Sequence, residues 1–184
     1  MREDDISGSI PPRIKIRGIL ETVMKINLEK KVWWGYIEED LRDLFRQGYL
    51  LYEMSGFEKA KFRDYSFVVF PAAKAFEGFL KKLFLDLGFI SSRDFWGKRF
   101  RIGKALNPTL EMQYRQESVY DKIVNHCGGK TLADKLWQTW ILSRNSVFHW
   151  FPKEKKALSL DEAKIRIDMI IEAMDAAVME CKIK

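Results

Sequence analysis

A chain of 184 residues with 47% hydrophobic content is long enough to bury a core and too apolar for a disordered polypeptide, so the expectation is one globular domain. No apolar run reaches the roughly eighteen residues a membrane-spanning helix needs, and the charged start Met1-Arg2-Glu3-Asp4-Asp5 does not read as a secretory leader, which points to a cytoplasmic protein with no membrane partner. Cys127 and Cys181 are too few for a disulfide framework and lack zinc-ligand spacing, while the net charge of +6 favours a polyanionic partner.

Residues 1–12 are charged and Pro-rich without periodicity and read as an irregular arm; with a short helix predicted from about 19 to 30 they form an N-terminal segment, 1–30, ahead of the main domain, 31–184. Over 34–54 the apolar residues Ile37, Leu41, Leu44, Phe45, Tyr49 and Leu51 recur at helical spacing between charges, an amphipathic helix that Gly56 should end. The stretch 65–87 is apolar on more than one face, as a central buried helix would be, with Pro71 expected to start or kink it and Gly88 to stop it.

Residues 91–108 read as a polar linker, and 109–124 as a weaker helix ending at the Gly128-Gly129 turn. Thr131, with Asp134 three residues on, is expected to cap a strong helix carrying Leu132, Leu136, Trp137, Trp140, Ile141, Val147 and Phe148, halted before Pro152. Ser159 and Glu162 form a capping box for the last helix. The sum is an all-α chain, an antiparallel bundle of about four to six helices.

Two groups of residues carry possible chemistry. The first is Ser143-Arg144-Asn145-Ser146-Val147-Phe148-His149, with an arginine five residues before a histidine near the end of the Trp-rich helix. Read plainly, it is a surface arginine and a helix-terminal histidine that interacts with the last carbonyls. The second is the string from Arg93 to Lys104, with Arg93, Lys98, Arg99, Arg101 and Lys104 interleaved with Phe95, Trp96 and Phe100. It fits either a single-stranded RNA groove with Trp96 as a stacking platform or a surface loop pinned by its aromatics.

The pattern Arg144-Asn145-x-x-x-His149 resembles the signature of the HEPN superfamily, all-helical domains that include many metal-independent ribonucleases. Pro71-Ala72-Ala73-Lys74-Ala75-Phe76-Glu77, preceded by Asp64, is similar to the central helix of the C-terminal HEPN domain, the Dmd-binding domain, of the RNase LS (RnlA) toxins. The resemblance covers roughly 64–152. It implies catalytic positions at Arg144, His149, Glu77, Asn145, Lys74 and Asp64, no metal and no cofactor, a homodimer, an RNA substrate and a protein antitoxin. Lys74 departs from an arginine preference, since lysine lacks the planar two-pronged donor set.

The chemistry suits these residue types. Attack by a ribose 2′-hydroxyl needs a base, an acid for the leaving 5′ oxygen and positive charge beside the phosphorane. Histidine exchanges protons near neutral pH, and arginine can hold two phosphate oxygens at once. On a regular helix, however, five residues rotate by about 140° and climb about 7.5 Å. Arg144 and His149 are therefore expected to share a site only if the helix end unwinds or two copies meet across a twofold axis, with Val147, Phe148, Trp150 and Phe151 in the contact.

Overall fold

The computed structural model describes residues 28–57, 62–150, 152 and 157–181. After a 3-10 turn at Leu28–Lys30 come α1 (Val32–Tyr36), α2 (Glu39–Phe57), α3 (Ser66–Asp86), α4 (Ser92–Trp96), α5 (Ile102–Ala105) and a 3-10 stretch at Met112–Glu117. Then follow α6 (Val119–Cys127), α7 (Thr131–Trp140), a π-helical turn at Ile141–Asn145, α8 (Ser146–Phe148) and α9 (Leu160–Glu180). The fold is all-α, as the periodicity predicts, and no described helix is long and apolar enough to cross a membrane. The arm and helix predicted before residue 28, and Phe151, lie outside the described residues.

α3 is the centre because its sequence leaves it only one polar strip. Val68, Val69, Ala72, Ala75, Phe76, Phe79, Leu80, Leu83 and Phe84 are all buried, and the helix packs against α2, α9 and the π turn. Each large apolar side chain removed from water contributes roughly 1.5–3 kcal/mol. The helix starts at Ser66, a full turn earlier than Pro71, and runs on through that proline. Proline has no amide hydrogen to give the turn before it, so the segment is held by packing rather than by an unbroken ladder.

Pairs of side chains fix the directions. Leu41 fills the space beside Gly78 while Gly48 lies against Val68 and Ala72, so α2 is antiparallel to α3. Lys135 faces Glu172 and Ser143 faces Met169, which sets α7 and its π turn antiparallel to α9. α3 and α9 run in the same direction. Their starts are joined by the Tyr65 amide donating to the Leu158 carbonyl at 2.9 Å. Their far ends are joined through α1, where Tyr36 donates to Asp86 and Lys31, just before it, to Asp175, both at 2.6 Å.

Several local expectations are revised by tertiary contacts. The single helix predicted over 34–54 breaks at Ile37, whose extended backbone (φ −84°, ψ 153°) turns a 1% exposed side chain into the core. The stretch 109–124 divides into a 3-10 segment and α6, because the Ser118 hydroxyl accepts from the Asp121 amide and starts a new helix. Thr131 does not cap α7. Lys130 holds the N-cap position without a side-chain bond, and Asp134 instead accepts from the Tyr120 hydroxyl at 2.6 Å. The glycine stops form as expected, with Gly88 and Gly128 both at φ +69°, a conformation that disfavours a Cβ. The Ser159–Glu162 capping box is complete in both directions.

Gly48 is the place where the helical core has room to spare. A Cβ there would meet its nearest neighbours at 3.6–3.8 Å, ordinary contact distance. Gly48→Ala is expected to raise stability by about 0.5–1 kcal/mol, the usual difference between the two residues inside a helix. Urea unfolding measures it; a lower midpoint would show that α2 and α3 are closer than this packing allows.

Candidate functional site

Arg144 reaches its position through a fault in its helix. Between Ile141 and Asn145 the backbone takes one π-helical turn, closed by the Ser146 amide on the Ile141 carbonyl, an irregularity frequent at functional sites. Ser143 faces inward within that turn, fully buried with its hydroxyl 4.0 Å from the Met169 sulfur, and Ser146 donates back to the Leu142 carbonyl. Arg144, next along, turns toward α3. Its guanidinium carbon lies 5.0 Å from the centre of the Trp140 ring, one turn back, and its Nη2 lies 3.6 Å from Glu77 Oε2.

The result is a cleft of about 280 Å³ walled by Phe70, Ala73, Lys74 and Glu77 of α3 and by Arg144 and Phe148 opposite. Three of the six residues proposed as catalytic therefore converge: Arg144, Glu77 and Lys74. Glu77 pairs across the helices with Arg144 and makes no ion pair with Lys74 three residues back on its own helix. An ion pair this exposed contributes only about 0–1 kcal/mol, so the fold does not depend on it. Lys74 is exposed at the rim and has no ion-pair partner among the described residues.

The other three are placed differently. His149 leaves the helix with an extended backbone (φ −105°, ψ 130°), its amide on the Asn145 carbonyl at 3.3 Å, and its side chain is exposed outside the cleft wall, one residue beyond Phe148. The helix end thus unwinds at His149 itself. Asn145 is half-buried at the last position of the π turn and does not wall the cleft. Asp64 sits before the start of α3, more than a turn beyond the cleft, where one carboxylate oxygen accepts from the Ser66 amide (2.9 Å), the Ser66 hydroxyl (2.6 Å) and the Leu158 amide (3.2 Å).

The basic string divides as well. Phe95 and Phe100 pack against the core, whereas Trp96 is 81% exposed, edge-on to Phe95. Ser91 and Asp94 cap α4 reciprocally. Arg99, Arg101 and Lys104 line a second cleft of about 770 Å³, with Phe89, Phe100, Glu117 and Lys122 among its other walls; Arg93, Trp96 and Lys98 lie outside it. Lys104 is held by Glu117 at 3.1 Å and over the Tyr114 ring at 4.0 Å. Lys122, which the sequence reading did not single out, donates to the Phe89 carbonyl at 2.7 Å. Trp140 stands four residues before Arg144, the spacing at which helix side chains meet, and that is the sequence signal for this contact.

Among the described residues no group of three or more His, Cys, Asp or Glu could hold a metal ion. Compared with protein-family models, curated proteins and solved structures, the chain matches none.

Asp64 has a structural consequence that can be measured. Partial burial raises its pKa, but the hydrogen bonds from Ser66 and Leu158 outweigh that and hold the carboxyl below its ordinary value. A depressed pKa stabilises the fold above the unfolded-state value and ceases to do so as pH falls through the folded-state value. Asp64→Ala should cost about 1 kcal/mol near neutral pH after allowance for solvent screening, a drop of roughly 2–4 °C in Tm. The gap from wild type should close in acid; a gap that persisted there would remove the charge from the explanation.

Proposed function

We propose that this protein is a metal-independent endoribonuclease of the HEPN class, acting as the toxin of a toxin-antitoxin or phage-defence system in the cytoplasm. The observation that carries the reading is the meeting of Arg144 with Glu77 and Lys74 in one cleft, from helices that the resemblance singles out separately. A weak, partly exposed ion pair on a π turn adds little to stability, and such local irregularities are commonly retained where a side chain must be aimed.

In this reading the ribose 2′-oxygen attacks the adjacent phosphorus and the bond to the 5′ oxygen breaks. The 2′ proton passes to a base, and an acid returns one to the departing oxygen. The products are a 2′,3′-cyclic phosphate and a 5′-hydroxyl. His149 serves the proton transfers, Arg144 neutralises the nonbridging oxygens of the phosphorane, and Glu77 orients Arg144. Lys74 attracts the phosphate at the rim, and Asn145 holds the π turn on which Arg144 stands. Asp64 acts at a distance by fixing the start of α3.

The active unit is a homodimer. His149 lies just outside the cleft of its own chain, and a twofold axis beside the α8 end would bring two arginines and two histidines around one strand. The surface next to the cleft supports this. Phe62, just before α3, and Phe67 and Phe70, in its first turns, are exposed, Phe70 lies edge-on to Phe148, and Trp150 is 81% exposed. Exposed aromatics of this kind suit an interface, and a protein antitoxin would cover the same cleft.

Labelled RNA incubated in EDTA tests the proposal. Wild type should yield 2′,3′-cyclic phosphate ends, while Arg144→Ala and His149→Ala should each lose at least a hundredfold in rate with helicity unchanged, the scale expected for a charge stabiliser or proton-transfer group. Undiminished cleavage by either folded variant takes the motif out of the mechanism. A strict need for magnesium or manganese takes the enzyme out of this class.

A further inference from the structure

The first cleft is walled by the middle of α3, and the second begins at the turn just past its C-terminal end. Glu77 walls the first and Gly88, just past the helix, walls the second. The nine residues from Glu77 to the helix end at Asp86 rise about 14 Å along the axis, the reach of about four phosphates at the 3.4 Å rise of a stacked strand and of fewer in an extended one.

What stands between them is α5, which touches α3, and the indole of Trp140. Gly103 of α5 comes so close to that ring that a Cβ would sit 2.9 Å from its Nε1. Arg144 of the first cleft lies over the same ring, and Lys104, the neighbour of Gly103, walls the second. One buried indole thus touches both Arg144, a wall of the first cleft, and Gly103, the neighbour of Lys104 in the second.

The charge is suited to a polyanion at each end. In the second cleft Glu117 is taken up by Lys104 and Asp94 by Ser91, which leaves the exposed Arg99 and Arg101 without an ion-pair partner among the described residues. In the first, Lys74 is likewise unpaired. A duplex cannot enter a cleft of about 280 Å³. A single strand can, and aromatic and guanidinium planes beside phosphate-binding cations are the usual means of holding one.

We propose that the two clefts are the two ends of one single-stranded RNA path, along which Arg99 and Arg101 grip the backbone, the strand crosses α5 at Gly103, and the scissile phosphate reaches Arg144. The identity of the strand rests on the ribonuclease reading, but the path is a matter of binding. Gly103 and Trp140 are positioning residues: the missing Cβ lets the indole lie where Arg144 can stack on it.

The test uses the wild-type full chain with fluorescent 2′-O-methyl oligouridylates of two to eight nucleotides, which cannot be cleaved by 2′-hydroxyl attack. Affinity should rise at least tenfold from dinucleotide to octanucleotide, with one octanucleotide bound per chain. Replacing Arg99 and Arg101 together with Ala should weaken the octanucleotide, lower its log-log salt slope by about 1.4, and leave the dinucleotide unaffected. Gly103→Ala, whose folding is checked by circular dichroism, should weaken the octanucleotide more than the dinucleotide. Length-independent affinity, two octanucleotides per chain, equal losses for both lengths, or no binding would each overturn the path. Cleavage without length dependence would overturn the path alone, whereas length-dependent binding without cleavage of ordinary RNA would leave the path standing and remove the ribonuclease reading.

Discussion

Burial of α3 is the constraint on which everything else in this protein rests. A helix with Val68, Val69, Phe76, Phe79, Leu80, Leu83 and Phe84 over most of its circumference can face water along one strip only. The rest needs cover, and α2, α9 and the π turn supply it. The consequence for function is that the few polar positions of α3 fall on one strip. Lys74 and Glu77 stand there because every other direction is taken by the core, and they meet whatever element closes the last flank of the helix.

That element is the end of α7, and its π turn decides what the strip sees. A regular helix would have to reconcile the buried row through Leu136, Trp140 and Ser143 with an arginine reaching for α3. The extra residue in the turn relieves the conflict, with Ser143 packed on Met169 and Arg144 directed at Glu77. The same geometry gives Arg144 a second hold, the face of Trp140, so its planar group is constrained by a ring on one side and a carboxylate on the other. The parallel course of α3 and α9 helps, because α7 can then run opposite to both.

The basic segment 93–104 follows a different logic. Its two short helices are pinned by Phe95, Phe100 and the buried Ile102, while the capping box at Ser91 fixes where the first begins. Anchoring by Phe95 and Phe100 and exposure of the basic residues coexist in it. The aromatics that anchor the loop are also what hold Arg99 and Arg101 at the mouth of a cleft, and Trp96 alone among them stays in solvent.

Much of the fold was legible from sequence because it depends on local chemistry. The all-α class follows from periodicity, the glycine stops at Gly88 and Gly128 from the left-handed backbone that only glycine takes cheaply, and the Ser159–Glu162 box from side chains three residues apart. Of the candidate residues, Arg144, Glu77 and Lys74 were all singled out, but their meeting could not be read from spacing, since it joins positions 67 and 70 residues apart. Tertiary structure alone decided the break at Ile37, the diversion of Asp134 from capping α7 to binding Tyr120, and the use of Asp64 to tie α3 to the start of α9. In each case the deciding partner or core contact is distant in the chain and so invisible to local spacing. The π turn belongs with these, because no residue within 141–145 demands it; the packing of Ser143 on one side and Arg144 on the other does.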